Sequence, residues 1–195
     1  MLLSSSPCSW TLLVLTLTVC RAFAADEAGP LARAQAKFRE AKYEDAAQLA
    51  AAALQQDKES TAAYRLRAAA YERLGKLDLA IADLSQVIQR QPDTADTIQH
   101  RGELHFQAGH IASSIEDFDR YVQARPDQEP YHWQRGISYY YAGEYAKGAR
   151  QFEIHKTVNP QDVENAVWHY LCKSRLEGVK RARADLIEID RDDRP

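Results

Sequence analysis

Cysteine is scarce in this chain of 195 residues, and two of its three cysteines, Cys8 and Cys20, lie among the first 24 residues. Only Cys172 remains beyond that segment, so an internal disulfide framework is excluded there. A lone cysteine of this kind usually packs as a small apolar side chain. Stability must therefore come from packing.

Motifs that carry catalysis or bind metals and nucleotides are also missing: the sequence has no HExxH, CxxC, GxxxxGK or GxSxG. His100, His105 and His110 are spaced by five, which spreads their side chains around a helix instead of stacking them. The acidic run at 190–193 has no loop glycine of a calcium site. We therefore expect no enzyme, no cofactor and no metal site.

Charge of either sign is not in large excess, since 25 basic residues face 28 acidic ones and the formal net charge is −3. This balance gives no basis for nucleic acid as a partner. Beyond residue 24, no apolar run is long enough to cross a bilayer. We expect no membrane span in the mature chain.

The first 24 residues have the pattern of a secretory signal peptide. An apolar run at 10–19 precedes the A-x-A-like site at 22–24, and the segment contains no acidic residue. We predict cleavage after Ala24, a mature domain at 25–195 and a periplasmic or secreted location. The segment has no Lys or Arg before its apolar run, so an uncleaved anchor is the less favoured alternative.

The rest of the chain repeats with a period of 34 residues. Three residue types recur at this spacing: Pro92, Pro126 and Pro160; Gly75, Gly109 and Gly143; and Arg33, Arg67, Arg101 and Arg135. Each window contains two apolar patterns of helical length separated by a break near a glycine. Proline ends the second pattern because it lacks a donor and clashes with the preceding turn. The pattern predicts an all-α chain of antiparallel helix pairs.

Two positions of the window predict how the helices pack. The eighth position is small, as in Gly102 and Gly136, and the twenty-fourth becomes large, as in Phe118 and Phe152. A small residue lets two helices approach closely, and a large one fills the space beside them.

With this spacing the chain resembles the tetratricopeptide repeat family. The segments that carry the resemblance best are YRLRAAAYERLGKLDLAIADLSQVIQRQP and IQHRGELHFQAGHIASSIEDFDRYVQARP. It implies a right-handed α-solenoid of about five repeats. The windows are 27–60, 61–94, 95–128 and 129–162, with an atypical cap at 163–195. The family is defined by its scaffold, so the resemblance says little about function.

Charged residues recur at two positions of the window. The seventh position is arginine in four windows, and the twenty-third is aspartate in three. An unpaired buried charge is costly, so we predict structural pairs between the arginines and aspartates of a window. The residues assigned this structural role are Arg67, Arg101, Arg135, Asp83 and Asp117. The fourth window has Gln151 in place of the aspartate.

The resemblance implies a concave groove lined by the first helix of each pair. The groove positions carried over from the family are polar in the second and third windows and aromatic in the fourth. The predicted groove residues are Arg65, Arg73, Glu103, Phe106, Trp133, Ile137, Tyr140 and Tyr141. The Lys and Asn clamp with which chaperone-tail binders of the family hold a terminal carboxylate is absent.

These features predict a non-enzymatic scaffold or adaptor that binds a peptide or protein segment in its groove outside the cytosol. The layout is similar to small envelope adaptors of this family in bacteria. The alternative is a self-associating structural protein, a homo-oligomer that buries Trp133, Tyr140 and Tyr141 against a second copy. Tyr139 and Tyr145 are predicted to be core residues instead.

Overall fold

The computed structural model describes residues 29–190, so the predicted signal peptide at 1–24 lies outside the described residues. In that range the regular structure consists of ten α-helices and one 3-10 helix, with no β-strand. Within each of the two compact units that the chain forms, consecutive helices pack against each other. The predicted all-α fold of helix pairs is confirmed. The chain divides into two compact units between Leu74 and Gly75, and each is described by itself.

The N-terminal unit contains three helices: α1 (Pro30–Arg39), α2 (Tyr43–Gln56) and α3 (Thr61–Arg73). Its core is built largely from alanine, with Ala46, Ala47 and Ala70 packed beside the rings of Phe38 and Tyr43. Alanine has a high helix propensity and a small volume, so these helices approach closely around a thin core.

The C-terminal unit contains the remaining elements. They are α4 (Leu77–Arg90), α5 (Ala95–Gln107), α6 (Ile111–Ala124), a 3-10 helix (Pro126–Tyr131), α7 (Trp133–Tyr141), α8 (Tyr145–His155), α9 (Val163–Glu177) and α10 (Val179–Ala184). Besides its sequence neighbours, α7 contacts α5 and α9, so the first helices of successive pairs lie side by side. None of the helices within 29–190 is long and apolar enough to span a membrane.

The period of 34 appears in the structure as the start of every second helix. These helices begin at Tyr43, Leu77, Ile111, Tyr145 and Val179. The turn before α6 explains the repeated glycine: Gly109 has φ of 78°, and the N–H of His110 donates to the carbonyl of His105 over 2.8 Å. This left-handed helix ending is unstrained for glycine.

The predicted small and large positions meet inside the C-terminal unit. A Cβ on Gly102 would lie 2.8 Å from Cε1 of Phe118, and one on Gly136 would lie 2.7 Å from Cζ of Phe152. Both phenylalanines are fully buried. Only glycine therefore fits at these crossings without moving a core ring.

Helix α7 begins later than the window predicts, at Trp133, because the 3-10 helix occupies the preceding residues and Pro130 lies inside it. Two residues that depart from the repeat pattern hold this segment. Gln151 Nε2 donates to the carbonyl of Glu129 over 2.8 Å, and His155 Nδ1 donates to the carbonyl of Pro130 over 2.8 Å. The buried Gln151 and His155 are thus explained by the shape of the preceding turn.

Candidate functional site

Five aromatic side chains from α7, α8 and α9 form one feature of the C-terminal unit, here called the aromatic surface: Trp133, Tyr140, Tyr141, Tyr145 and Trp168. Tyr140 lies at its centre. Its ring centroid is 5.7 Å from that of Tyr141, 5.5 Å from that of Tyr145 and 5.4 Å from that of Trp168, all in edge-to-face geometry. This is a preferred arrangement of aromatic pairs, so Tyr140, Tyr141, Tyr145 and Trp168 hold one another in place. Trp133 joins them through a cavity that it lines together with Trp168.

Parts of the aromatic surface remain open to solvent. Tyr141 is 61% exposed and Trp133 is 47% exposed. Tyr140, Tyr145 and Trp168 are half-buried and pack against a core of Ile137, Ala149, Phe152 and Cys172. The surface is therefore anchored on one side and accessible on the other.

Arg175 of α9 places a positive charge at the edge of this surface. Its guanidinium carbon lies 5.2 Å from the ring centroid of Tyr145, and Nη2 donates to the Tyr145 hydroxyl over 3.0 Å. A cation over an aromatic face is favourable and fixes the ring further.

A cavity of about 230 Å³ opens beside the exposed indole of Trp133. Its lining residues are Trp133, Phe152, Asp162, Glu164, Asn165 and Trp168. Asp162 caps α9, because its Oδ1 accepts hydrogen bonds from the backbone N–H groups of Glu164 (2.9 Å) and Asn165 (3.2 Å). We call this space the Trp133–Trp168 cavity.

The predicted groove residues do not all reach one surface. Trp133, Tyr140 and Tyr141 lie on the aromatic surface, whereas Ile137 is only 7% exposed and packs in the core with Phe152. Ile137 is thus not available to a partner, contrary to its assignment to the groove, because its side chain fills the space between α7 and α8. Phe106 of α5 is half-buried against the same core.

The polar groove residues lie apart from the aromatic ones. Glu103 of α5 is half-buried and accepts a hydrogen bond from Gln99 Nε2 over 3.2 Å. Arg65 and Arg73 are exposed on α3, in the N-terminal unit, and the guanidinium of Arg73 lies 4.9 Å from the ring centroid of Tyr43. The structure therefore brings together the aromatic members of the predicted set.

Trp168 is a member of the surface that the sequence analysis missed. It follows Trp133 by 35 residues instead of 34, at a position that the family does not assign to the groove. Gly178, which has φ of 86° and ends α9, is displaced by one residue in the same way. Both helices of the last window nevertheless begin on the period, at Val163 and Val179, so the period alone does not place Trp168 on the surface.

The repeated arginines join neighbouring second helices. Arg101 donates from Nε and Nη2 to the two carboxylate oxygens of Asp117, over 2.8 and 2.6 Å, and from Nη1 to Ser85 Oγ over 2.9 Å. The Arg101–Asp117 contact is the one that the spacing predicts. Through both contacts, Arg101 links α5 to α6 within one helix pair and to α4 of the preceding pair.

Arg135 contacts the equivalent two positions, but with the carboxylate on the other helix. Its Nε donates to Asp119 Oδ1 over 2.6 Å, and Nη1 donates to Gln151 Oε1 over 3.0 Å. Gln151 replaces the expected aspartate, and Asp119 of the preceding pair supplies the negative charge. Nη1 also donates to Glu129 Oε1 over 3.1 Å. Each of the two arginines thus has a carboxylate partner.

Arg67 and Asp83, the other two residues discussed here that were assigned a structural role, belong to different units. Arg67 belongs to the N-terminal unit, where its guanidinium lies 5.7 Å and 5.9 Å from the ring centroids of Tyr64 and Tyr71. Asp83 is buried on α4 of the C-terminal unit.

Titratable core groups have shifted pKa values. Burial raises the pKa of the Cys172 thiol to about 12, and burial, followed by the charge of Arg135, lowers the pKa of His132 to about 4. Both groups are therefore neutral near pH 7. Within 29–190 no cluster of three His, Cys, Asp or Glu side chains could hold a metal ion.

Comparison with known proteins gives both a sequence match and a match in fold. The profile of the family described as Tetratricopeptide repeat matches residues 31–95. The crystal structure of MamA protein has a TM-score of 0.69 over 77% of this chain and 82% of that chain, at 15% identity. A tetratricopeptide repeat protein from Parabacteroides merdae ATCC 43184 has a TM-score of 0.60 over 80% of this chain and 61% of that chain, at 20% identity. No curated protein sequence matches this chain.

At these identities the solved structures establish the fold, and the profile match identifies the repeat at residues 31–95. Both agree with the period of 34 and with the helix pairs that follow from it. Stacked helix pairs of this kind serve in general as scaffolds that bind other proteins. Residues 31–95 thus match the tetratricopeptide repeat family, and the fold of the described residues is the one seen in solved proteins with this repeat.

Proposed function

We propose that this protein is a non-enzymatic adaptor that binds a peptide or protein segment on the aromatic surface of its C-terminal unit, outside the cytosol. The observation that carries the proposal is the exposure of Trp133 and Tyr141 beside rings that are already fixed by packing. Large aromatic side chains contribute much of the energy of protein interfaces. Rings that are already ordered lose little entropy on binding.

The position of the rings supports the same function. Trp133, Tyr140 and Tyr141 lie on α7 and Trp168 lies on α9, and these two first helices are in contact. A partner segment that runs across both helices would cover Trp133, Tyr141 and the exposed Val167 together. Exposed apolar side chains on two adjacent helices are typical of an interaction site.

The location outside the cytosol rests on the signal-peptide pattern of residues 1–24. Sequencing the N-terminus of the protein purified from its native source tests this directly. We expect the mature chain to begin at Ala25. A chain that begins at Met1 and pellets with membranes would contradict cleavage after Ala24 and would indicate the uncleaved anchor instead.

Affinity capture from the extracytoplasmic fraction tests the binding surface. The bait is the wild-type chain beside the double variant Trp133→Ala/Tyr141→Ala, which removes the two most exposed rings without touching the core. Tyr131→Ala is the matched control, because Tyr131 is 59% exposed but lies on the 3-10 helix. We expect the control and the wild type to capture the same proteins and the double variant to lose them.

Light scattering separates the adaptor from the self-associating alternative. A wild-type monomer agrees with a free aromatic surface. A wild-type dimer that becomes a monomer in Trp133→Ala/Tyr141→Ala, but not in Tyr131→Ala, would assign the surface to a second copy of this chain. That result would contradict the adaptor proposal.

A further inference from the structure

The Trp133–Trp168 cavity has two chemically different sides. The indoles of Trp133 and Trp168 and the fully buried ring of Phe152 form an apolar side. Asp162, Glu164 and Asn165, at the N-terminal end of α9, form a polar side. A side chain that occupies the cavity must therefore combine an apolar body with a polar end.

The size of the cavity favours a single side chain over a whole ligand. Its volume of about 230 Å³ lies below the roughly 300–1,000 Å³ that is usual for pockets that take complete small molecules. The exposed Trp133 lies at its edge and also belongs to the aromatic surface. A segment bound on that surface could therefore place one residue in the cavity.

The charge of the lining favours a basic side chain. The lining contains two carboxylates, Asp162 and Glu164, and no Lys or Arg. Helix N-termini attract anions in general, but here Asp162 Oδ1 already accepts from the N–H groups of Glu164 and Asn165. Asp162 Oδ2 lies 3.3 Å from His155 Nε2 and 3.3 Å from Asn159 Nδ2. An anionic ligand would thus meet two carboxylates, and the N–H groups that could bind it are occupied.

Asn165 provides an independent indication of a polar ligand. The residue is only 4% exposed, and its Nδ2 donates to the carbonyl of Phe152 over 3.0 Å. Its Oδ1 accepts no hydrogen bond from any of the residues that the structure describes. A buried acceptor without a partner is costly, and a donor brought by a ligand would remove that cost.

We propose that the Trp133–Trp168 cavity receives a lysine or arginine side chain of the segment bound on the aromatic surface, an inference that rests on the proposed function. The aliphatic stem packs along the indoles of Trp133 and Trp168, as the stems of Lys and Arg do on apolar surfaces. The cationic head lies near the indole faces and the carboxylate of Glu164, with Asn165 Oδ1 as a further acceptor. Tryptophan is the best aromatic partner for a cation.

Tryptophan fluorescence offers a direct test, because Trp10 is the only other tryptophan in the chain. The full chain with Trp10→Phe reports on Trp133 and Trp168 alone. The probes are four capped tripeptides, Ac-Ala-X-Ala-NH2, in which X is lysine, arginine, norleucine or glutamate. We expect saturable binding of the lysine and arginine peptides, with affinity at least about tenfold above that of the norleucine and glutamate peptides.

The variant Glu164→Gln removes one carboxylate of the cavity and keeps the shape of the side chain. The control Glu116→Gln makes the same change in net charge at an exposed position of α6, outside the cavity. We expect Glu164→Gln to weaken the lysine and arginine peptides severalfold and Glu116→Gln to leave them unchanged. Circular dichroism spectra of both variants confirm that each is folded.

Three results would overturn the inference: equal affinity for norleucine and lysine, preference for glutamate, or no saturable change with any probe at millimolar concentration. Its failure is distinguishable from failure of the adaptor function. Captured proteins that depend on Trp133 and Tyr141 but are insensitive to Glu164→Gln leave the adaptor intact and remove the basic-residue specificity. If the basic peptides bind in the cavity but no protein is captured on the aromatic surface, the basic-residue specificity is supported and the adaptor function is contradicted.

Discussion

Ala41 shows at the scale of one residue what the repeat requires of its turn. It lies where the next three windows have glycine, and it adopts a left-handed φ of 58°. The turn is still closed, since its N–H donates to the carbonyl of Phe38 over 3.0 Å. The Cβ of an L-residue in this conformation costs about 1–2 kcal/mol. The N-terminal unit therefore contains a local strain at this turn.

Ala41→Gly should relieve that strain. We expect the free energy of unfolding of the N-terminal unit to rise by about 1 kcal/mol, because part of the gain is offset by the greater freedom of glycine in the unfolded chain. Urea denaturation followed by circular dichroism measures the change. The matched control is Ala32→Gly, at an exposed position inside α1, which should lower stability by about 0.5–1 kcal/mol. If both substitutions changed the free energy of unfolding in the same direction, the strain assigned to Ala41 would be contradicted.

At the scale of helices, Arg101 and Arg135 make two different pairs at the same kind of crossing. Asp117 is the partner of Arg101 and is nearly buried. Asp119 is the partner of Arg135, and 42% of its side chain is exposed to solvent. An ion pair whose carboxylate is exposed to solvent contributes less to stability than one whose carboxylate is buried. The two pairs should therefore have different coupling energies.

Double-mutant cycles should resolve this difference. We expect a coupling of about 2 kcal/mol between Arg101→Ala and Asp117→Asn, and about 1 kcal/mol between Arg135→Ala and Asp119→Asn. The crossed cycle, Arg135→Ala with Asp117→Asn, is the control and should be additive within about 0.5 kcal/mol. Unfolding in urea gives each value. A larger coupling in the crossed cycle than in either direct one would show that the pairing is misassigned.

His132, immediately before α7, gives this helix a dependence on pH. Its ring packs against Phe118 and Tyr121, with centroids 4.5 and 5.5 Å apart. Neither ring nitrogen has a hydrogen-bond partner among residues 29–190. Burial lowers the pKa of His132 from 6.5 to about 4. Between these values the unfolded chain takes up a proton that the folded chain does not, so stability falls as the pH falls through this window.

His132→Phe should remove this dependence while keeping an aromatic ring in the site. We expect the wild type to lose about 3 kcal/mol from this group between pH 7 and pH 4, and the variant to show a correspondingly smaller slope. Urea denaturation at a series of pH values measures both slopes. His110→Gln, at an exposed histidine, is the control and should keep the wild-type slope. An unchanged slope in His132→Phe would assign the pH dependence to other groups.

The helices themselves were predictable from the sequence because their signals are local. Glycine, alanine and proline at a fixed spacing predict where second helices begin, and the starts at Leu77, Ile111 and Tyr145 follow that spacing. The late start of α7 was not predictable in the same way. It depends on hydrogen bonds from Gln151 and His155, which come from the next helix and not from the segment itself.

At the scale of the molecule, Cys172 is a natural reporter for the C-terminal unit. It is fully buried in the core with Ile137, Ala149 and Phe152, beside Gly148, where a Cβ would lie 2.8 Å from its Sγ. Thiol reagents attack the thiolate, and burial raises the pKa of this thiol to about 12. Modification of Cys172 therefore requires the unit to open.

Labelling of the full chain with Cys8→Ser/Cys20→Ser should follow that opening. We expect native Cys172 to react at least about a thousandfold more slowly than the same thiol in urea, because a core of this kind opens only rarely. Ellman's reagent gives both rates. The control chain carries Cys172→Ser and also Ala146→Cys, at an exposed position of α8. Its new thiol should react nearly as fast in the folded chain as in the unfolded one. Fast reaction of native Cys172 would contradict its burial.

The candidate site was predictable only in part, since exposure is a property of the packed molecule. Trp133 and Tyr141 were assigned to the surface from their positions in the repeat, and both are exposed. Ile137 was assigned in the same way but is covered by α8, and Trp168 was missed because it lies 35 residues after Trp133 instead of 34. The period predicts which helix contains a residue, whereas packing of the neighbouring helices determines how much of its side chain is exposed to solvent.

Arg101 pairs with the carboxylate of the helix that follows it, whereas Arg135 pairs with a carboxylate of the preceding helix pair. This difference distinguishes the two repeats. If the window 95–128 were copied in tandem, the arginine of the second copy would face its own Asp117 and the preceding copy's Asp119 at the same time. The guanidinium would then contact a carboxylate from each neighbouring second helix, and no neutral residue would remain at either position. In the natural order Ser85 and Gln151 supply one neutral partner at each crossing. A tandem copy would therefore change the charge balance of the crossing, so the two repeats are not equivalent in charge.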